Sequence, residues 1–480
     1  MDFREKLSQI IDEKREMLID VSDQIWDYAE TGFEEVQSVE LLCNILQQEG
    51  FTVEKGVGGI ETAFIGTFGE SKPNIAILGE FDALSGLSQQ GGLAQAEPVQ
   101  LDGNGHGCGH NLLGTGALAA AIALRYYMEE HHIPGTIRYY GCPGEEIGAG
   151  KTFMVRAGLF DDVDFALTWH PGTQNGVMSM SSLACYEVSY RFMGKSSHAG
   201  VTPHLGRSAL DAVELMNVGV NYLREHIIPE ARVHYATTNT GGISPNVVQA
   251  EAEVLYLIRA PKVAQTEGIY QRICNIARGA ALMTGTEVEI IFQSALSDLI
   301  PNKTLETIMH HNMTELGVPV HNQEEIVFAR DIRYTLSEED KEADIRDIPE
   351  LKGKEISDML LPYKESSVVM PGSTDVGDVS WVVPTAQCWI ACDALGTPFH
   401  TWQMVAQGKT SIAHKGMLHA GKVIASTAID IMQDLQIIEK ARLELIERLG
   451  GETYQSPIPK EVTHYILRLH TTKVVGFLGS

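Results

Sequence analysis

The sequence predicts an α/β protein in which a domain built on a mixed sheet is interrupted by a second, ferredoxin-like domain of βαββαβ order. Three observations carry that prediction. At 480 residues the chain is too long for one compact core. Strand-like and helix-like segments alternate over the first 183 residues, the rhythm of an α/β sheet. From residue 184 to about 297 that rhythm gives way to strand, helix, strand, strand, helix, strand, which is a complete split-βαβ unit in itself. The expected organisation is a first domain in two parts, 1–183 and 301–480, around an insertion at 184–300.

In order along the chain, residues 4–30 and 34–49 repeat apolar positions at helical spacing. The β-branched and aromatic runs TAFIGTF (62–68) and NIAILG (74–79) read as strands, the second leading into GEFDAL at 79–84. A Gly- and Gln-rich stretch, 86–105, reads as a loop, and GHGCGHN at 105–111 opens an Ala-rich helix, 112–130. Strand TIRYYGCP (136–143), a helix near 148–157 and strand FALTWHP (165–171) follow. Beyond the insertion, 303–317 and 405–449 return to helix, with strand AQCWIAC (386–392) between them. The charged segment 338–358 has little apolar periodicity and reads as a mobile loop or an exposed helix.

Composition removes several function classes. With 44% hydrophobic and 21% charged residues the chain has ordinary globular composition. The net charge of −27, from 63 acidic against 36 basic residues, opposes binding to nucleic acid and to anionic lipid over most of the surface. The chain starts with an amphipathic pattern rather than a secretory signal, and no apolar run is long enough to span a membrane. Seven scattered cysteines, an odd number, argue against a disulfide framework and make a cytoplasmic location the expectation.

The chemistry-bearing residues sit at strand ends or in the loops after them. Cys108 and His110 share a Gly-rich turn just before a helix, where small neighbours leave room for a metal and the helix start favours a thiolate; a structural turn around a small thiol has the same appearance. Glu145 and Glu146 leave the loop GCPGEEIGAG side by side. Burying both needs a cation; a metal would let one carboxylate bind while the other serves as general base, whereas a solvated acidic pair is the plainer alternative. His170 ends an apolar strand and His400 follows another, and each alone could be a capped structural histidine. Together Cys108, His110, Glu146, His170 and His400 form a donor set suited to Zn2+ or Mn2+, at the edge where an open α/β sheet gathers its ligands.

The segments GHGCGHN, YGCPGEE, ALTWHP, PHLGRSALDAV, GGISPNVVQAEAEVLYLIRAP, STDVGDVSW, GTPFHTWQ and SIAHKGML, in that order and over nearly the whole length, resemble the M20 metallopeptidases. The resemblance is to the amidohydrolase branch that acts on N-acyl amino acids and auxin conjugates. It implies a catalytic domain interrupted by a lid domain that also dimerises, and two divalent ions. Cys108 is similar to the residue that bridges the ions, with His110, Glu146, His170 and His400 as terminal ligands, Glu145 as base and Asp82 as the residue that orients a ligand. Glu80 stands where many relatives have a ligating His. In the lid, His198, Asn246 and Arg259 resemble substrate contacts, His198 for the oxyanion and Arg259 for the substrate carboxylate; on their own terms Asn246 reads as a turn residue and Arg259 as a surface charge. The implied substrate is an aroyl- or acyl-amino acid, p-aminobenzoyl-glutamate first, with a dipeptide or another N-acyl amino acid as the alternative. The implied assembly is a homodimer or a heterodimer with a homologous subunit, and a weakly active or non-catalytic partner subunit is the contrasting reading. Where relatives often carry Gly-Ser-Glu-Asp, this chain has Gly372, Ser373, Thr374 and Asp375. Cys142, Cys388 and Cys392 read as core thiols.

Overall fold

The computed structural model describes residues 2–346 and 348–464. These fall into two compact units, one of residues 1–180, 300–367 and 379–454, the other centred on 181–299. Residues 368–378 and 455–464, expected in the first domain, cluster with the second unit. There the Asp378 carboxylate accepts from the Ser297 N–H at 3.0 Å and from its hydroxyl at 2.7 Å.

The first unit is organised by a seven-stranded sheet in the order Thr52–Lys55, Phe64–Phe68, Thr136–Cys142, Asn74–Glu80, Phe165–Gly172, Thr385–Ala391, Gly176–Val177. Its four central strands are mutually parallel and the outer ones antiparallel, so the sheet is mixed as expected. Asn74–Glu80 is buried at every position, as a central parallel strand covered on both faces is, with the helix His110–His131 against it. The chain passes from this strand to Thr136–Cys142 on one side and then crosses to Phe165–Gly172 on the other. At such a reversal the loops after the strands diverge and leave a crevice at their carboxyl ends.

The helix His110–His131 is apolar nearly all round, since it lies under the sheet and against the helix Ser411–Gln433. Close approach depends on small residues: a Cβ on Gly116 would come within 2.7 Å of the Trp169 ring, and one on Gly421 within 2.9 Å of Ala119. The expected helix 4–30 is two, Phe3–Glu13 and Arg15–Tyr28, broken at Lys14. The expected 405–449 is three, Trp402–Gln407, Ser411–Gln433 and Leu435–Leu449, each starting on a Thr or Asp side-chain cap. In the charged segment, Glu338–Ala343 is an exposed helix, but Leu351 and Ile356 are buried, so the rest is anchored by apolar contacts and is not a free loop.

The second unit is an antiparallel sheet in the order Glu287–Leu296, Ala184–Met193, Glu251–Ala260, Arg232–Asn239, with the helices Ala209–Leu223 and Val263–Thr284 against it. This is the expected βαββαβ arrangement. In Glu251–Ala260 the residues Ala252, Val254, Tyr256, Ile258 and Ala260 point into the core, which puts Arg259 on the other face.

Candidate metal centre

Five segments meet at the carboxyl end of the first sheet. Glu80 is the last residue of its strand, Glu145 and Glu146 follow Thr136–Cys142 by a three-residue step, and His170 lies two residues from the end of its strand. Cys108 and His110 enter from the turn before their helix, where Gly109 has φ 73° and a Cβ would meet the Pro171 ring at 2.7 Å, so only glycine fits. His400 also has positive φ, 60°, a strained setting for a non-glycine residue, and its N–H donates to the Gly107 carbonyl at 2.8 Å. That bond ties the two loops together.

The side chains converge in three groups whose donor atoms lie within 4.8 Å of one another: Cys108 with His110 and His170, Cys108 with Glu146 and His400, and Glu80 with His110 and Glu145. Cys108 Sγ is 3.5 Å from His170 Nε2, and His400 Nε2 is 3.3 Å from Glu146 Oε2. The histidines are oriented from behind. Asp82 Oδ1 accepts from His110 Nδ1 at 2.9 Å, and the Pro171 carbonyl accepts from His170 Nδ1 at 2.7 Å. Each ring then turns its Nε2 toward the centre, the arrangement that metal-ligating histidines use. Asp82 Oδ2 also accepts the Glu146 N–H at 2.9 Å, so one buried carboxylate fixes two of the segments.

Electrostatics point the same way. Burial holds the Cys108 thiol well above its ordinary range, and the Glu146 carboxylate beside it adds to this. Burial also lowers His170 to about 4, helped by His110. For Glu146, burial opposes ionisation, yet the hydrogen bond from His400 brings its carboxyl below the ordinary value. His110 Nε2 and Glu146 Oε1 are both buried without a hydrogen-bond partner. Unpartnered buried donors and acceptors are costly, and a cation bound between them would satisfy both. The donor set therefore fits divalent metal.

Two buried residues escaped the sequence reading. Lys151, with no exposed side-chain area, places Nζ 2.6 Å from Glu80 Oε1; the only signal for it was a lysine amid the small and apolar residues of GAGKTFMV. Glu35 is fully buried and accepts the Gly144 N–H at 2.8 Å, which steadies the loop carrying Glu145. Burial, reinforced by the Asp82 carboxylate, raises Glu35 to about 8. The remaining predicted residues belong to the second unit. His198 Nδ1 accepts from the Gly200 and Val201 N–H groups at 3.1 Å each, leaving its proton on Nε2. The Asn246 carbonyl accepts from the Ala199 N–H at 2.9 Å, and Arg259 Nη1 donates to the Pro371 carbonyl at 3.4 Å while its Nε is buried and unpartnered.

Comparison with known proteins extends this geometry. Residues 76–341 match the model of peptidase family M20/M25/M40. The chain is 51% identical over 469 residues to a p-aminobenzoyl-glutamate hydrolase subunit of Escherichia coli K12, covering 95% of this chain and 98% of that one. It is 29% identical to the Xaa-Arg dipeptidase of Mus musculus, covering 94% and 93%. A dinuclear metal binding peptidase of the M20 family from Bacillus subtilis superposes with a TM-score of 0.57 at 17% identity, covering 88% of this chain and 99% of that one, which shows a shared fold. The chain, whose thiol, imidazoles and carboxylates converge at the carboxyl ends of the first sheet, is thus a hydrolase that belongs to peptidase family M20/M25/M40.

Proposed function

We propose that this chain hydrolyses the amide bond of p-aminobenzoyl-glutamate, releasing p-aminobenzoate and glutamate, with Cys108, His110, Glu146, His170 and His400 as ligands of two divalent ions. The observation that carries this reading is the pair of groups sharing Cys108, one completed by His110 and His170 and the other by Glu146 and His400. A thiolate common to both is suited to bridge. When bound, the ions would supply the positive charge that polarises the scissile carbonyl and acidifies a water. Mn2+ and Zn2+ both suit a set that mixes thiolate, imidazole and carboxylate.

The chain's own residues do the rest. Glu145, adjacent to a ligand but not needed as one, takes a proton from the attacking water and returns it to the leaving amine nitrogen. Asp82 holds His110 and the Glu146 backbone in place. In the second unit, His198 presents an Nε2–H donor for the developing oxyanion, Arg259 pairs with the substrate carboxylate, and Asn246 adds a polar contact. The substrate assignment rests on the relative that shares about half of all residues over nearly the full length. That relative is one of two differently named subunits of the Escherichia coli hydrolase, which supports assembly with a homologous second subunit or, failing one, a homodimer. No described helix is long and apolar enough to cross a membrane, and the seven cysteines are all free, which supports a cytoplasmic setting.

The test is release of p-aminobenzoate by the purified chain after chelation and reloading with Mn2+ or Zn2+. Turnover restored by metal supports the reading. A metal-loaded chain that leaves p-aminobenzoyl-glutamate intact yet cleaves Xaa-Arg dipeptides would move the substrate to that of the second relative.

A further inference from the structure

Glu80 lies within ligand range of the centre, yet its charge is already engaged. Its Oε2 is 3.2 Å from His110 Nε2, and its donor atom groups with those of His110 and Glu145. Its Oε1 meets Lys151 Nζ at 2.6 Å, and the two side chains are 3% and 0% exposed. Lys151 is the second residue of the helix Gly150–Arg156, and the positive end of a helix dipole disfavours a cation there. A buried ion pair also adds little stability over an apolar pair of similar volume. Neither the helix start nor the stability of a buried pair favours a lysine at this position, whereas the charge of the site does. With Cys108 as thiolate and Glu80, Asp82, Glu145 and Glu146 as carboxylates, five negative charges share one buried region. Two divalent ions supply four positive charges, and Lys151 supplies the fifth.

We propose that Lys151 is a fixed third cation of the centre: its ammonium holds Glu80 out of the coordination shell and sets the charge at which the site closes with two divalent ions. Lys151 is therefore a positioning residue, acting through Glu80 rather than on substrate. This inference rests on the metal-site reading above and concerns what limits that site. Removing the lysine frees a carboxylate beside the ions and should strengthen divalent binding, while a lysine that merely supports the fold would weaken it when lost. The two roles predict opposite signs.

The experiment uses the full chain, stripped by chelation and titrated with Co2+, reading stoichiometry and affinity by equilibrium dialysis and the thiolate-to-cobalt and d–d absorption bands. Wild type should bind two Co2+ with a thiolate band. Lys151→Met should bind Co2+ about tenfold more tightly, with altered d–d bands as Glu80 joins the shell. Glu80→Gln strands the ammonium beside the ions and should weaken binding about tenfold. The double variant E80Q/K151M removes both charges and should return to within about threefold of wild type, the non-additivity expected of a coupled pair. A folded Lys151→Met protein that binds Co2+ as wild type does, or more weakly, overturns the proposal. Should that variant not fold, the other two decide: weakening by Glu80→Gln that the double variant reverses supports it, and unchanged binding by Glu80→Gln overturns it. A wild-type chain that binds no Co2+ through a thiolate overturns the metal-site reading and this inference together, whereas two bound ions with indifferent variants sink the inference alone.

Discussion

At the carboxyl end of the first sheet, His110, Glu80 and Asp82 have side chains 0%, 3% and 0% exposed, and two of the donor atoms around them are left unpartnered. In the inserted unit His198 and Asn246 are exposed, Arg259 is half-buried, and backbone bonds hold the first two. The first region concentrates like charge where water cannot screen it, an arrangement that bound cations would stabilise. The second carries no such concentration of carboxylates and keeps His198 and Asn246 exposed. Substitutions in the first should therefore disturb metal and chemistry, whereas those at Arg259 and Asn246 should change substrate affinity and those at His198 the chemical step, each without loss of metal.

The sharpest way to break this division is Glu145→Gln, expected to lower kcat about a thousandfold while metal content stays that of wild type. Loss of metal along with activity would make Glu145 a ligand instead. Asp82→Asn should weaken metal binding about ten- to a hundredfold, because the amide no longer fixes the His110 tautomer; calorimetric titration with Zn2+ reads this. Arg259→Gln should raise KM for substrates with a free carboxylate about tenfold, leaving metal content alone and kcat within a few-fold. A matched substrate with the carboxylate amidated should show no difference between wild type and variant.

The smallest effect contrasts two buried carboxyls of the first unit. Burial opposes ionisation of Glu80, yet Lys151 and His110 bring it below its ordinary value. For Glu306, in the helix Lys303–Leu316, burial outweighs the hydroxyl donated by Tyr363 at 2.9 Å and the charge of Arg448, and raises the carboxyl from 4.5 to about 7. The folded chain then binds more protons at this group than the unfolded chain between pH 4.5 and about 7, so the contribution to stability falls as pH rises through that window. Glu306→Gln should flatten this part of the stability profile measured by denaturant unfolding. A profile that stays as steep would assign the slope to other groups.

Much of this was legible in the chain because periodicity and strand-end position are local properties. The runs NIAILG and FALTWHP became the strands Asn74–Glu80 and Phe165–Gly172, and the six segments of the insertion became the six elements of the second unit. The break at Lys14 carried neither Gly nor Pro to announce it. The helix Gln323–Tyr334 escaped notice although Asn322 and Glu325 form a capping box at its start, because its apolar stripe is narrow. At the candidate site, Cys108, His110, Glu146, His170 and His400 were singled out by residue type, loop position and family resemblance, and the fold brings their side chains together. Lys151 and Glu35 were not, since what marks them is burial against Glu80 and Gly144, partners 71 and 109 residues away that only the folded chain brings near.

The account stands most directly on one paired measurement: metal per chain by elemental analysis and glutamate release from p-aminobenzoyl-glutamate, for wild type and Glu145→Gln. It predicts two ions in each protein and hydrolysis by the wild type alone. Hydrolysis that survives in the variant, or a wild type active with no metal bound, would contradict it.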